Sequence, residues 1–412
     1  MAAGSLISLD WLNFLVGDMQ TGFGPFVSVH LTAAGWTTGR IGAALGVGTV
    51  ASLLAQVPAG LLVDNSNYKR NVAAAAIVAI MGALLVLALL PEFLPVLAVE
   101  LVQGIGGVVL SLSIAAITLA LSRQEVLGER FGNNVRFAAI GSAAGAGLLG
   151  LVGNTFSPSA VFFISAGFGA PALLALLRIR RADLLAADTR TGHHTAPPPN
   201  ARRCPPQPMR KLMVDRRLVV FMACVLLFYL GNAAMLPLAA VRVTRHAGGS
   251  ADLLTAAALI VPQLLVAAAS PWVGRMAERH GRRIVLLVGF AALPARGVLL
   301  ALGGPPDLLV AVQTLDGVSG AVFGVLLPLV VADLTHDGGR FNVALGLVGF
   351  AIGIGAAVSN VAAGWIAEAA GVQVAFLALA AAGAAATVLV WVAMPETAHL
   401  PDLVPASGEP NP

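Results

Sequence analysis

The chain has 412 residues, 58% of them apolar without counting its 46 glycines, and only 11% charged. Water-soluble domains carry roughly 25% charged residues, so this composition, with a mean hydropathy of +0.88, excludes soluble globular, disordered and collagen-like chains. Two cysteines, Cys204 and Cys224, cannot build a disulfide scaffold. The net charge of +4 gathers in a few loops, as membrane orientation requires, so no nucleic-acid partner is read from it.

A helix needs about 20 apolar residues to cross ~30 Å of hydrocarbon. The long unbroken apolar runs here are unlike the ~10-residue alternating segments of a barrel, so the fold class is an all-α membrane protein. Charges and turn residues divide the chain into twelve spans: 7–31, 39–63, 71–90, 95–121, 134–156, 159–178, 218–241, 252–275, 284–303, 308–332, 342–367 and 372–393. The first run lacks a basic leader and contains Asp18, so it reads as a retained helix and not a cleaved signal.

Four regions follow: a six-helix bundle over 1–178, a linker over 179–217, a second bundle over 218–395 and a tail over 396–412. The linker contains Ala196-Pro-Pro-Pro and Cys204-Pro-Pro-Gln-Pro, the composition of an extended spacer. Lys69, Arg70, Arg123, Arg130, Arg136, Arg275, Arg279, Arg282, Arg283, Arg340 and the ten basic residues from Arg178 to Arg217 fall on one side. The other side has only Arg40, Arg242 and Arg245, with Arg296 inside a span. That bias places both termini and the linker in the cytoplasm of a bacterial inner membrane.

The two bundles repeat one another. Gly60-Leu-Leu-Val-Asp64, followed by Lys69, returns as Gly274-Arg-Met-Ala-Glu278, followed by Arg283. Gln103-Gly104-Ile-Gly-Gly107 returns as Asp316-Gly317-Val-Ser-Gly320, Arg130-Phe131 as Arg340-Phe341, and Pro25 as Pro237. Parallel repeats around a central cavity are a transporter architecture.

An ionisable side chain within a span costs at least ~2.5–3.5 kcal/mol on insertion scales, so each one needs a reason. Asp18 lies in span one, Glu100 in span four and Asp316 in span ten. Desolvation disfavours the charged form of a buried carboxylate, which suits such a group to carry a proton. The structural alternative for each acid is a hydrogen bond to a neighbouring helix or pairing with Arg296 or Arg136. For Arg296 itself an ion pair, with Asp316 as partner, is the better reading. Neutral polar residues complete a candidate substrate cavity: Asn13, Gln20, Gln103, Tyr229, Asn232, Gln263, Gln313, Ser359 and Asn360. With mostly aliphatic surroundings they suit a small neutral, cationic or amphipathic solute, and helix-to-helix bonding explains any one of them as well.

The loops after spans two and eight resemble the signature loop of the major facilitator superfamily: glycine, three residues, acid, base, any residue, glycine, two basic residues. The second copy fits fully with Gly274, Glu278, Arg279, Gly281, Arg282 and Arg283. The first keeps Gly60, Asp64, Lys69 and Arg70, with Asn65 and Asn67 replacing the usual base and glycine. The resemblance covers residues 6 to about 395 and implies that these ten residues form a latch holding the outward-facing conformation. It also implies that spans one, four and ten line the cavity. Two family patterns are altered. Span four reads Glu100-Leu-Val-Gln103-Gly104, with an acid where the family places an arginine, and span five lacks the glycine-proline pair of the antiporters, its nearest proline being Pro158.

The resulting expectation is a twelve-span secondary transporter working by alternating access, with proton-coupled efflux of a small organic compound as the favoured direction. Proton-coupled uptake of a nutrient or metallophore is the alternative within transport. A membrane sensor of transporter shape, with the linker as its partner-binding segment, is another. An enzyme is disfavoured because no HExxH pair, GxSxG elbow or Walker loop occurs. Gly145-Ala-Gly147-Leu-Leu-Gly150 matches a dinucleotide pattern but lies inside an apolar helix with no strand before it. No cofactor or metal is expected, and the chain is expected to act as a monomer with protons, solute and the lipid bilayer as its partners.

Overall fold

The computed structural model describes residues 3–21, 23–157, 159–180, 183, 209–239, 251–305, 308, 311–335 and 340–397. Within those, the side chains of 3, 18, 20, 21, 23–25, 38, 154, 209–211 and 251–259 lie outside the described residues. Most of the linker 179–217 and of the tail 396–412 falls outside as well.

The first half comprises α1 (Ala3–Thr21), α2 (Phe23–Ala33), α3 (Thr38–Asn65), α4 (Lys69–Leu89), α5 (Phe93–Leu121), α6 (Leu127–Thr155) and α7 (Ala160–Arg178). After a short α8 (Met209–Val214), the second half comprises α9 (Arg216–Asn232), α10 (Ala251–His280), α11 (Arg282–Leu302), α12 (Thr314–Thr335), α13 (Phe341–Ala370) and α14 (Val372–Ala393). Ten helices among the described residues are long and apolar enough to cross a membrane; with α1–α2 and α10 they make the twelve spans.

Local sequence explains several boundaries. Thr37 and Asp215 cap α3 and α9 by accepting the backbone N–H groups of Arg40 and Arg217, which satisfies donors that have no partner within the helix. Gly281 and Gly371 make the tight turns between α10 and α11 and between α13 and α14 at φ +90° and +94°, a region side chains other than glycine rarely enter. Span seven is interrupted after Asn232 and resumes over 235–239, with Pro237 in the first turn of the resumed helix, where its missing N–H costs nothing.

Helix packing follows one scheme twice. In the first half α1 packs on α6 and α7, α5 on α3 and α4, and α4 on α7. In the second, α9 packs on α13 and α14, α12 on α10 and α11, and α11 on α14. Numbered as spans, every pairing in the second half is its first-half counterpart advanced by six. The contacts agree at residue level: Gly141 packs against the Phe14 backbone, and Gly355 against the Leu226 backbone. The fold is therefore twelve helices in two pseudo-symmetric six-helix bundles.

Two sequence expectations are corrected here. Span five begins at Leu127 and not at 134, so Arg130 lies inside α6 and is buried. The equivalence of Arg130 with Arg340 fails, because Arg130 is the fourth residue of α6 while Arg340 precedes α13.

Candidate functional site

The halves meet along a seam at the ends of the helices that carry the basic loops. Asp64, at the end of α3, accepts the N–H groups of Asn342 and Val343 at 3.1 and 2.9 Å and the Asn342 side-chain amide at 2.7 Å. Glu278, at the end of α10, accepts the Glu129 N–H at 3.1 Å. Each acid thus caps the start of a helix in the opposite half, where unpaired N–H groups and the helix dipole favour negative charge. Burial pushes the Glu278 carboxyl above its ordinary range, while the Glu129 and Gly128 N–H groups and Arg282 pull it back.

Glycines bring the backbones together beneath these caps. A Cβ on Gly60 would strike the Asn342 carbonyl, and one on Gly274 the Gly128 carbonyl. One turn further in, Gly346 abuts the Gln56 carbonyl and Gly132 that of Ser270. The four contacts form two symmetry-related pairs.

Away from the seam the packing loosens. Every residue from Phe341 to Val348 is buried, whereas Ala357, Val358, Asn360, Val361, Gly364 and Trp365 on the same helix are exposed. Gly42, Gly46, Gly147, Gly150 and Gly364 have nothing within 4 Å of a would-be Cβ. The two bundles therefore lie together at their basic ends and apart at the other.

The ten residues expected to form a latch divide accordingly. Gly60, Asp64, Gly274 and Glu278 cross the seam. Arg70 stays in its own half, donating to the Leu177 and Ile179 carbonyls at the end of α7, and Lys69 acts on Asp64 only through its charge. Arg282 bonds Asp333 at 3.0 Å and the Ala277 carbonyl, Arg283 reaches the Trp391 carbonyl, and Glu396 accepts both of their backbone N–H groups. Gly281 supplies the turn, and Arg279 is exposed. Sequence reasoning missed Arg275, which crosses to Glu129 at 3.3 Å, and Gln124, which crosses to Asp333 at 3.3 Å.

In the second half, Arg296 gathers three of the candidate site residues. It is 1% exposed and donates to Gln313 Oε1 at 2.9 Å, Asn232 Oδ1 at 2.8 Å and Asp316 Oδ1 at 2.5 Å. The Asp316 side chain remains 26% exposed, so it is the open face of this cluster. Tyr229 stands beside it against Phe228 and Phe323.

In the first half, Glu100 is buried against Gly48 of α3, and its Oε1 has no hydrogen-bond partner. Gln103 donates to the Met19 carbonyl at 3.5 Å, and its Oε1 is likewise unpaired. A second polar chain was not legible as such: Arg130 bonds Asp10 at 2.5 Å and Asn134 at 3.0 Å, and Asn134 donates to Thr118 at 2.6 Å. The Asp18 and Gln20 side chains lie outside the described residues.

The remaining candidates are not gathered. Asn13 is buried and donates to the Leu9 carbonyl of its own helix, and exposed Asn360 does the same with Ala356. Gln263 is half-buried. Ser359 is fully buried and accepts the Ala234 N–H, closing the break in span seven. Among the described residues no group of three or more His, Cys, Asp or Glu side chains is placed to hold a metal ion.

Two pseudo-symmetric helical bundles around a polar midsection, joined at one end by reciprocal caps, define a secondary-transporter architecture. The sequence matches the Major Facilitator Superfamily over residues 9–261 and 221–411. It is 38% identical over 394 residues to uncharacterized MFS-type transporters from two strains of Mycobacterium tuberculosis, covering 95% of this chain and 93% of theirs. Solved structures share the fold. The proton:xylose symporter XylE aligns with TM-score 0.71 at 12% identity, covering 96% of each chain. The human organic anion transporter MFSD10 and FucP in its outward conformation each align with TM-score 0.66, at 18% and 15% identity, covering 94% of this chain and 97% of theirs. The chain belongs to the major facilitator superfamily: it is a multi-pass membrane transporter and not an enzyme.

Proposed function

We propose that this transporter works by alternating access in a bacterial inner membrane, with both termini cytoplasmic, and exports a small organic solute in exchange for protons. The seam carries the reading. Its contacts are backbone caps, glycine approaches and the side-chain pairs Arg275–Glu129 and Gln124–Asp333, a surface that parts without unfolding either bundle. With the basic loops in the cytoplasm, the described conformer is closed inward and open outward. The candidate coupling acids are Asp18, Glu100 and Asp316, and the polar residues around Asp316 and Arg296 are the candidate solute contacts. One chain contains both bundles, so a monomer suffices.

Purified protein in liposomes tests this directly. An imposed gradient, acid outside, is expected to drive loaded solute out of right-side-out vesicles and to acidify the lumen in step. Solute moving inward together with protons overturns export in favour of uptake. Flux that ignores the pH gradient overturns proton coupling.

A further inference from the structure

The acids carried by the helices of this molecule are not alike. Asp10 is paired with Arg130, Asp316 with Arg296 and Asp333 with Arg282. Glu100 is only 6% exposed, and its buried Oε1 has no hydrogen-bond partner, nor is Glu100 in any ion pair among the described residues. An unpaired carboxylate taken out of water costs several kcal/mol, and such a group takes up a proton instead of remaining charged.

The surroundings of Glu100 leave a proton as the available compensation. Its Oε2 lies 2.5 Å from where a Cβ on Gly48 would stand, so the missing side chain at 48 is what makes room for the carboxyl. One turn along α5, the Gln103 Oε1 is a second buried acceptor without a donor. A proton on Glu100 converts one of these two neighbouring groups with an unpaired acceptor into a donor.

Among the described residues no charge from the packed helices answers it. The helices packed most closely on α5 are α1, α3, α4, α6 and α13. Their ionisable residues are Asp10 and Asp18 on α1, Arg40 and Asp64 on α3, Lys69 and Arg70 on α4, Glu129, Arg130 and Arg136 on α6, and Glu368 on α13. Asp10 and Arg130 hold each other, Asp64 caps α13, and the Asp18 side chain lies outside the described residues.

From this contrast we infer that Glu100 holds a proton as a neutral carboxylic acid in the closed-seam conformer, while Asp316 is held by Arg296. The inference deepens the proton-coupled reading by assigning the coupling proton to span four. Water from the open side donates the proton to the carboxylate, and the acid returns it as the seam opens and water reaches α5 from the other face. Asp316, held by its counter-ion, serves the solute and not the proton.

Infrared spectroscopy of the reconstituted protein tests this without a known solute. The expected result at neutral pH is a protonated-carboxyl C=O band that shifts in D2O, is lost in Glu100→Gln and persists in Asp316→Asn. Glu100→Asp, which keeps a carboxyl, is expected to retain it. In an Asp64→Ala variant shown open by spin-label distances, the band is expected to fall. A band of unchanged intensity in Glu100→Gln, or one that disappears in Asp316→Asn, overturns the assignment; a band indifferent to seam opening overturns its link to the cycle. If the band behaves as expected yet no pH-driven flux occurs, proton-driven transport fails while the protonation of Glu100 stands.

Discussion

Arg296 shows how one residue can organise a site from behind. Breaking a buried ion pair by removing one partner typically costs 3–5 kcal/mol, because the other charge is stranded, whereas apolar replacement of both is close to neutral. Arg296→Met strands Asp316 and frees the oxygens of Asn232 and Gln313, so it is expected to lower the thermal unfolding midpoint in detergent markedly. Adding Asp316→Leu is expected to restore most of the loss; a double variant no more stable than the single one contradicts the pairing. This contact was legible, because an arginine inside an apolar span demands an acid and Asp316 was within reach of the topology. Arg130 was not, because its charge drew the span boundary past it to 134, and only the folded helix shows that Asp10 and Asn134 make its burial tolerable. Glu100 was visible as an intramembrane acid, but its isolation is a property of what surrounds it, and no pattern along the chain records an absence of partners.

Residues at the seam add a pH dependence with a defined sign. Glu278 has a raised pKa in the closed seam, so closure takes up protons relative to an open, hydrated Glu278. Its contribution to closure is full below the ordinary glutamate value of ~4.3 and is lost as pH rises through the raised one. Glu278→Gln keeps an acceptor for the Glu129 N–H and removes the charge, so it is expected to stay closed and to flatten the pH response. Glu278→Ala strands that N–H and is expected to open the seam. Spin-label distances between the basic ends of α6 and α10, taken in mildly acidic and mildly alkaline buffer, separate these outcomes.

At the scale of elements, the seam depends on backbone reaching backbone. Gly346 against Gln56 and Gly132 against Ser270 let α13 meet α3 and α6 meet α10 with no side chain between them. A methyl group at either position must push the helices apart, and overpacking of this kind costs about 1–3 kcal/mol. Gly346→Ala and Gly132→Ala are therefore expected to shift the population toward the open seam by roughly 5- to 100-fold, since 1.4 kcal/mol is a factor of ten. Gly82→Ala on α4 and Gly167→Ala on α7, both in open space and away from the seam helices, are the controls and are expected to leave the distances unchanged. The repeat of Gly60 and Asp64 as Gly274 and Glu278 foretold where the halves would touch. It did not foretell that Arg70, Arg282 and Arg283 would turn inward to hold their own halves, because loop sequence fixes charge and spacing but not the direction a long side chain takes.

For the whole molecule, pseudo-symmetry constrains the state not described. Two rigid bundles that close at their basic ends must close at the opposite ends when they rock, and the same two helix pairs are the ones available to meet there. The antiparallel register of Gly60 with Asn342, Gln56 with Gly346 and Leu53 with Gly353, continued along α3 and α13, brings Gly46 and Gly42 opposite residues 357–364. Gly42, Gly46 and Gly364 have no neighbour in the present conformer, and small residues at this spacing are what close helix approach requires. Cysteines placed at 42 and 364, in a background with Cys204 and Cys224 replaced, are expected to cross-link poorly in the wild-type seam and readily once Asp64→Ala opens it. Gly42→Leu, which fills that approach without touching the present packing, is expected to bind solute from the outer face yet transport none. Equal cross-linking in both backgrounds, or normal flux through Gly42→Leu, means that the second closure uses different surfaces and that the bundles do not rock about this seam.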